Sequence, residues 1–351
     1  MPTPRAAASL PPTTSLGEVL ATYGAGTHGM IDSDCFLSVV TRTQGRRPHL
    51  LAEVLSGLAE QTDRDFEVVV VRHRTNTQLA NRIDELVAAQ PGWMRIRVLD
   101  VASPGRSAPL NAGFEAARGT YVAIHDDDDL ALPSWVATFR ELDARHPGRV
   151  LRAVAARQHV VARIVDAEVR AEQQGELDRP WPPTFSFLDH LIVNSTPPIS
   201  LAFPRAVFAD LGERFDESLD TTEDWDFLMR AAGLVGVACS PTETSVYRWW
   251  VEGESSRTEH TEDEWDDNHR AVQDRLDQRV LLLPAGSVTA LRTMITTRDE
   301  RIAELIVERD REAGNAQQLL DEAQDYLARL KEAEERIRRQ RAKIQRLRGE
   351  S

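Results

Sequence analysis

The sequence has few of the residues that identify several large classes of protein. Cysteine occurs only at Cys35 and Cys239, which is too few for a disulfide framework or a cysteine-based zinc site. Lysine occurs only at Lys331 and Lys343, so arginine carries nearly all of the positive charge. No apolar run reaches the roughly 20 residues that a membrane span needs, and the first residues lack the apolar core of a signal peptide. These absences predict a protein of the reducing cytoplasm.

Length and charge narrow the class further. The chain has 351 residues, of which 41% are hydrophobic, and this is enough for one large domain or two ordinary ones with a real core. Its formal net charge of −14 argues against a general nucleic-acid-binding protein, because such proteins need a positive surface. We therefore expect a globular protein without a nucleic-acid partner.

Candidate strands alternate with helical patterns in the first part of the chain. Residues 35–40 and 66–71 are near-continuous apolar runs, typical of strands covered on both faces, and residues 96–101 are a third candidate strand. Between them, apolar residues recur at helical spacing after Pro48 and again over residues 79–87. This β-α-β-α-β order predicts an α/β fold with a mostly parallel, doubly wound sheet.

Four consecutive aspartates, Asp126 to Asp129, follow a fourth apolar stretch at residues 120–124. Adjacent carboxylates repel one another, and a divalent cation would offset that cost because hard cations prefer carboxylate oxygens. Alternate residues of an extended segment share one side, so Asp126 and Asp128 can face one ion together. The alternative interpretation is an acidic, solvated loop.

Polar side chains follow the other predicted strands at the same edge of the sheet. They are Thr41, Arg42 and Thr43 after the first strand, Arg72 and His73 after the second, and Arg106 after the third. Ligands of doubly wound sheets bind beyond the carboxyl ends of the strands, so these residues predict a binding site together with the aspartates. A guanidinium fork suits phosphate oxygens, and Arg106 is a candidate phosphate contact; the alternative is a solvated loop arginine.

Two stretches resemble the nucleotide-sugar half of family 2 glycosyltransferases of the GT-A fold. They are LSVVTRTQGRRPHLLAEVLSGLAEQTDRDFEVVVV at residues 37–71 and GRSAPLNAGFEAARGTYVAIHDDDDLALP at residues 105–133. The resemblance extends over residues 35–250 and implies a GT-A type sheet with an acceptor-side region. It also implies an enzyme that transfers a sugar from a nucleotide-sugar donor.

The resemblance implies roles for individual residues. Asp126, Asp127 and Asp128 match the family's metal-binding aspartate motif, with Asp128 as the principal ligand of Mn²⁺ or Mg²⁺ and Asp126 nearer the sugar or ribose. Thr43 matches a threonine that lines the nucleoside pocket, and Asn111 matches the asparagine of an N-x-G motif. Some relatives supply a further metal ligand at the position of His260; the alternative is a solvated loop histidine.

Three positions depart from the family pattern. Arg72 and His73 stand where the family usually has an aspartate pair near the nucleobase, and only His73, when neutral, can accept a hydrogen bond from the base. Leu110 stands where the family often has an arginine, whose charge Arg106 can supply. Arg42 replaces a proline and adds a cation near the diphosphate.

A second acidic motif, TTEDWDFLMRAA at residues 221–232, is typical of the start of a helix. Thr221 or Thr222 is a candidate N-cap, and acids in a first turn interact favourably with the helix dipole, which is a purely structural explanation for them. The resemblance implies instead that Asp224 is the general base for the acceptor hydroxyl, with Glu223 as the second candidate. Trp225 is expected in the core rather than on a sugar.

The last part of the chain has a heptad pattern. Ile302, Ala316, Ala323, Leu330, Ile337 and Ile344 share one register, and Leu305, Leu319, Tyr326, Ala333 and Leu347 lie three residues further on. This predicts a long α-helical coiled coil and a homo-oligomer, although Gly314 and Asn315 weaken the helix between the two halves. The alternative is a surface helix packed on the rest of the chain. The basic residues 336–348 are a candidate peripheral contact with an anionic membrane.

These observations divide the chain into three parts. Residues 1–33 are a loosely ordered leader, and residues 34–283 are the glycosyltransferase domain, with a nucleotide-sugar half at 34–133 and an acceptor half at 134–283. Residues 284–351 are the helical coiled-coil extension. The donor sugar, nucleobase and acceptor are not encoded in a recognisable motif.

The sequence favours an inverting, metal-dependent glycosyltransferase that acts on a hydroxyl of a glycan or lipid-linked acceptor, in cell-surface polysaccharide biosynthesis. One alternative is a non-catalytic glycosyltransferase-like scaffold, in which the changes at Arg72, His73 and Leu110 have impaired donor binding. A second alternative is a nucleotidyltransferase, although a glycine-rich phosphate loop is missing after the first strand.

Overall fold

The computed structural model describes residues 33–166, 168–252 and 260–349, with the backbone alone for residues 347–349. The predicted leader therefore lies outside the described residues, apart from Ser33. The chain divides into two compact units, the first ending at Val288 and the second spanning Thr289–Ser351.

A nine-stranded sheet forms the centre of the first unit. Its strands are β1 Cys35–Thr43, β2 Phe66–His73, β3 Arg95–Val101, β4 Gly119–Ile124, β5 Leu130–Ala131, β6 Val150–Val165, β7 Glu168–Gln173, β8 Leu201–Pro204 and β9 Val237–Glu252. The helices are α1 Pro48–Ala59, α2 Thr77–Ala88, α3 Ser107–Ala116, α4 Trp135–Arg145, α5 Phe187–His190, α6 Arg205–Ala209, α7 Glu223–Val235, α8 Glu262–Asp277 and α9 Ser287–Gly349.

The strand order confirms the predicted α/β class and adds antiparallel strands to it. The sheet runs β3-β2-β1-β4-β8-β6-β9-β5, with β7 paired to β6. Strands β3, β2, β1 and β4 are parallel to one another, as the sequence predicts. Beyond β4 the sheet is mixed, because β8 pairs antiparallel with both β4 and β6 while β9 pairs parallel with β6.

Strands β1, β2 and β4 are largely apolar and buried because helices cover both of their faces, whereas the edge strand β3 is only partly buried. On one face Val39 and Val68 pack in a cluster with Leu55 of α1, and on the other Val40 and Val69 pack with Phe114 of α3 and residues of α7. Gly113 brings α3 close to the sheet, since a Cβ atom there would collide with Val40. The glycine of the N-x-G motif therefore has a packing function.

The long helix α9 continues without a break through Gly314 and Asn315, so their lower helix propensity does not divide it. Every side chain from residue 288 to residue 346 is exposed. The predicted helical extension is confirmed, and its pairing into a coiled coil stays a prediction. Within the described parts of the chain, no helix is both long and apolar enough to span a membrane.

Candidate active site

A cleft of about 380 Å³ opens at the carboxyl ends of β1, β2 and β4, and it is called the first cleft below. The predicted site residues that line it are Arg42, Thr43, His73, Arg106, Asp126, Asp127, Asp128 and His260. They converge because β1 is parallel to both β2 and β4, so the polar residues after each strand emerge at one edge.

Arg42 joins the aspartate run to the start of α7. Its Nε donates to Asp126 Oδ1 at 3.0 Å, and its Nη1 donates to Glu223 Oε1 at 2.7 Å. Arg106 Nε contacts the same Glu223 oxygen at 3.1 Å. Burial favours the neutral form of Glu223, but Arg106 and Arg42 outweigh it and lower the pKa of this carboxyl to about 2. Glu223 is therefore an ionised residue that holds two arginines.

Arg47 holds the next two aspartates. Its Nη2 donates to Asp127 Oδ1 at 2.9 Å and its Nη1 lies 3.0 Å from Asp128 Oδ2. Thr43 Oγ1 also donates to Asp127, at 2.5 Å, and Trp250 Nε1 donates to Asp128 at 2.8 Å. The repulsion among these carboxylates is thus balanced by protein cations and hydrogen-bond donors.

Asp129 differs from the three aspartates before it. Its side chain is buried, and Oδ1 accepts the backbone N–H of Arg248 at 2.8 Å. Oδ2 has no hydrogen-bond partner among the described residues. Burial, with the charges of Asp128 and Asp126, raises the pKa of Asp129 well above its usual value. Asp129 therefore braces β9 and does not line the first cleft.

Asp224 lies in the first turn of α7, next to Glu223, but its environment raises the pKa of its carboxyl instead of lowering it. Burial and the negative charge of Glu223 raise the pKa of Asp224 to about 7. Its Oδ1 accepts the backbone N–H of Trp225 at 2.8 Å. A carboxyl with a pKa near neutrality is suited to take a proton and release it again.

The residue at the start of α7 has an unusual backbone conformation. Thr222 is the N-cap, as predicted, but it has a φ of +61°, a left-handed conformation that is unfavourable for a β-branched residue. Its hydroxyl donates to the carbonyl of Thr221 at 2.6 Å and does not cap the helix. Such conformations concentrate at functional sites, and this one sets the direction in which Glu223 and Asp224 leave the turn.

A second cleft, of about 340 Å³, adjoins the first. Asp126 and Asp128 line both clefts, and these two residues are called the shared wall below. Asp224 lines the second cleft only. The rest of its lining is largely aromatic and proline side chains: Trp181, Pro197, Pro198, Tyr247, Trp249, Trp250, Trp265 and His269. Asn194 and Thr196 line this cleft too.

His73 lines the first cleft with a defined tautomer. Its Nε2 lies 2.8 Å from the carbonyl oxygen of Ser103, so Nε2 carries the proton and donates it. Burial lowers the pKa of His73, which keeps the ring neutral. Its Nδ1 is then a hydrogen-bond acceptor, as a residue that contacts the N–H of a nucleobase must be.

Four predicted residues do not line either cleft, and one of them is Glu223, which pairs with Arg42 and Arg106. Thr41 is fully buried within β1, and Asn111 bonds the backbone N–H and carbonyl of Phe215. Arg72 forms ion pairs with Asp84 at 2.9 Å and Asp100 at 2.6 Å. The contacts of Glu223, Asn111 and Arg72 account for their residue types, whereas the hydroxyl of Thr41 has no hydrogen-bond partner among the described residues. Contact of these residues with a ligand stays a prediction.

A divalent ion can be tested against these donors. No group of three histidine, cysteine or acidic side chains with metal-binding geometry occurs in the part of the chain that the structure describes. Ions such as Mg²⁺, however, are commonly held by one or two carboxylates together with substrate phosphates. The shared wall offers two carboxylates beside cations that suit phosphate, so these residues fit an ion shared with a diphosphate.

Sequence reasoning missed two parts of the site. One is Arg47, for which no motif predicts the contacts with Asp127 and Asp128. The other is the aromatic lining of the second cleft, to which Trp225 does not belong, since it is a core residue, as expected, whose Nε1 donates to the carbonyl of His190. The ring-rich lining of the second cleft comes instead from Trp181 and from Tyr247 and Trp249 of β9. The density of aromatic residues at 247–250 was the available signal.

Comparison with known proteins supports the family resemblance. Residues 38–166 match the family model described as Glycosyl transferase family 2. The uncharacterized glycosyltransferase YwdF of Bacillus subtilis is 24% identical over 222 residues, 62% of this chain and 76% of that protein. The uncharacterized glycosyltransferase MJ1057 of Methanocaldococcus jannaschii is 33% identical over 97 residues, 28% of this chain and 33% of that protein. This chain thus spans about a third of one of these relatives.

Solved structures have the same fold. Staphylococcus aureus TarS 1–349 in complex with UDP-GlcNAc has a TM-score of 0.52 at 20% identity, covering 68% of this chain and 65% of that one. The mannosyltransferase PcManGT from Pyrobaculum calidifontis, in complex with GDP-Man and Mn²⁺, has a TM-score of 0.51 at 17% identity, covering 77% and 76%. These likenesses show a GT-A type fold, within which residues 38–166 match the family 2 glycosyltransferases.

Proposed function

We propose that this protein is an inverting glycosyltransferase that moves a sugar from a nucleoside-diphosphate donor to an acceptor hydroxyl. The observation that carries the proposal is the junction of the two clefts. A cleft rich in arginine and carboxylate meets an aromatic cleft at the shared wall, and Asp224, a carboxyl with a pKa of about 7, lies beside that junction.

The first cleft suits the donor. Arg42, Arg47 and Arg106 are cations that can pair with the oxygens of a diphosphate, and each also forms an ion pair with a carboxylate of the site. His73, with Nδ1 as acceptor, suits the N–H of a nucleobase, and Thr43 lines the same cleft. Asp126 and Asp128 would hold Mn²⁺ or Mg²⁺, and such an ion supplies positive charge next to the departing diphosphate.

The second cleft suits the acceptor. Aromatic rings pack against the apolar faces of sugar rings, and Trp249 and Tyr247 of β9 are both half-buried in its lining. A glycan or a lipid-linked sugar has the chemistry for this cleft. The proposed setting is cell-surface polysaccharide biosynthesis on the cytoplasmic side, with residues 336–348 contacting an anionic membrane surface.

Asp224 is the proposed base and Glu223 a positioning residue. Asp224 would take the proton of the acceptor hydroxyl as its oxygen attacks the anomeric carbon from the side opposite the diphosphate, which inverts the configuration. Glu223 is a weaker choice because two arginines hold it ionised, with a pKa of about 2. Its charge instead raises the pKa of Asp224 and fixes Arg42 and Arg106 near the diphosphate.

Calorimetric titration tests the donor half of the proposal. The intact protein would be titrated with UDP, GDP, dTDP and CDP, in the presence of Mn²⁺ and again with EDTA. We expect one nucleotide to bind, more tightly with Mn²⁺, and transfer assays would then use sugars on that nucleotide. Failure of all four to bind would contradict the proposal and favour the non-catalytic scaffold.

We also propose that the protein self-associates through residues 302–347, which the heptad pattern predicts. Light scattering on the intact protein and on a chain ending at residue 288 tests this. An equal number of copies in both forms would contradict self-association and leave the proposed activity unaffected.

A further inference from the structure

The helix α9 exposes an apolar stripe that needs a partner. Leu291, Ile302, Leu305 and Leu330 lie on one face of it and are 41%, 46%, 47% and 43% exposed. In proteins, a helix gains most of its stability from packing its apolar face against another surface. We consider a second copy of this chain as the partner. Its helix has the same sequence, so the charges that would face each other can be read from the sequence.

Three charged residues interrupt the stripe and constrain the direction and register in which two helices can pair. The positions of the two heptad registers are called the seam here, and Arg298, Arg309 and Glu312 occupy seam positions. In a parallel, in-register pair each seam residue faces its own copy, so two arginines meet at each of two layers and two glutamates meet at a third. Buried like charges cost stability, so a parallel arrangement is opposed at three layers.

An antiparallel pair removes all three conflicts in one register. When Arg309 faces the partner's Glu312, the two-fold axis passes between Asp310 and Arg311, and opposite charges meet on both sides of it. The facing pairs, each formed twice, are then Leu291 with Leu330, Ile295 with Tyr326, Arg298 with Ala323, Ile302 with Leu319, Leu305 with Ala316 and Arg309 with Glu312.

The side-chain sizes and the flanking charges agree with this register. The two alanines at heptad positions within residues 291–330, Ala316 and Ala323, each face a longer side chain, which suits interdigitated packing. Beside the seam, Arg301 approaches the partner's Glu322, again twice. The shared segment of 40 residues has a length of about 60 Å, sufficient for a stable coiled coil.

We propose that residues 291–330 of two copies form an antiparallel coiled-coil dimer with Arg309 of each chain paired to Glu312 of the other. This rests on the proposed self-association, moves the paired segment from residues 302–347 to residues 291–330, and is independent of glycosyl transfer. Residues 331–349 extend beyond the paired segment at each end, so the two basic tails lie at opposite ends of the coiled coil.

Cysteine cross-linking in the full chain tests the direction. Ile302→Cys, Leu319→Cys and the outward-facing control Val307→Cys would each be made in a Cys239→Ser background and oxidised alone and in pairs. We expect a disulfide-linked dimer only when Ile302→Cys and Leu319→Cys chains are mixed. Self-linked Ile302→Cys would show a parallel pair and overturn the proposal, and so would the absence of a cross-link in the mixture.

Charge exchange tests the register, and light scattering tests the number of copies. Arg309→Glu places like charges at the central layers and should weaken dimerisation by about tenfold or more, while Arg309→Glu with Glu312→Arg should restore it. A restored dimer supports the register, and a double variant as weak as the single one contradicts it. A monomeric native chain would overturn self-association and this inference together, and a trimer or tetramer would overturn this inference alone.

Discussion

In the first cleft, arginines and carboxylates from distant segments pair at distances between 2.7 and 3.1 Å, whereas the second cleft is lined mainly by aromatic rings and prolines. The first cleft therefore depends on charge and the second on shape. The two carboxylates of the shared wall belong to both. We therefore expect that donor and acceptor recognition can be perturbed separately, and the following substitutions test this.

Asp224→Asn should have the largest effect. It removes the proposed base but keeps the size of the side chain, so turnover should fall by about a thousandfold while nucleotide binding stays within a few-fold of the native value. Steady-state transfer assays and calorimetry would be run on the same preparation. Asp210→Asn, an exposed aspartate outside both clefts, is the control. An equal loss of turnover and donor affinity would end the role of Asp224 as base.

Asp128→Asn should affect the first cleft. It removes one of the two charges that would hold the ion, so the tightening of nucleotide binding by Mn²⁺ should shrink by about tenfold to a hundredfold. The measurement is calorimetry with Mn²⁺ and with EDTA. Asp63→Asn, which lies outside the clefts and pairs with Arg140, is the matched control. Retention of the full Mn²⁺ effect would show that Asp128 does not hold the ion.

Trp249→Ala should affect the second cleft alone. Loss of the ring removes packing against the acceptor, so KM for the acceptor should rise by about tenfold with kcat and donor affinity nearly unchanged. Trp249→Phe keeps a ring and should recover most of the loss. A change in donor affinity as large as the change in acceptor KM would contradict the separation of the two clefts.

Glu223→Gln should have the smallest effect on the maximal rate, and it tests the coupling between neighbouring acids. The base must be ionised, so kcat/KM of the native enzyme should be half-maximal near the pKa of Asp224, about 7, and fall at lower pH. Glu223→Gln removes a negative charge that raises this pKa. The acidic limb, which is the part of the profile where kcat/KM falls at low pH, should therefore move to lower pH by about one unit.

The control for this pH shift is Glu141→Gln, an exposed glutamate of α4. Its profile should overlay that of the native enzyme. An acidic limb that stays in place in Glu223→Gln would show that Glu223 does not set the pKa of the group that titrates.

The order of elements and the edge that holds the site could be predicted from local patterns. Apolar runs such as that of β2 indicate covered strands, and parallel strands leave their carboxyl ends at one edge. The placement of Asp126 and Asp128 at this edge follows from that rule. Beyond β4 the prediction was coarser, because β8 enters the sheet between β4 and β6, from a distant part of the chain.

The contacts that give each acid its character were not predictable. Glu223 meets Arg42 across 181 residues of sequence, and no local pattern encodes that pairing. Asn111 shows the converse, since its type matched a family motif while its side chain binds the backbone of Phe215. The aromatic lining of the second cleft joins Trp181 to β9, and only the folded chain brings these segments together.

The α/β class, the edge of the sheet at which charged residues gather and the long terminal helix follow from local sequence patterns, because they depend on periodicity and neighbouring residues. The contrast between Glu223, ionised between two arginines, and Asp224, one residue later with a pKa near neutrality, arises from the folded arrangement. Burial and charge act through space, so two adjacent acids acquire opposite properties from partners that lie far away in the chain.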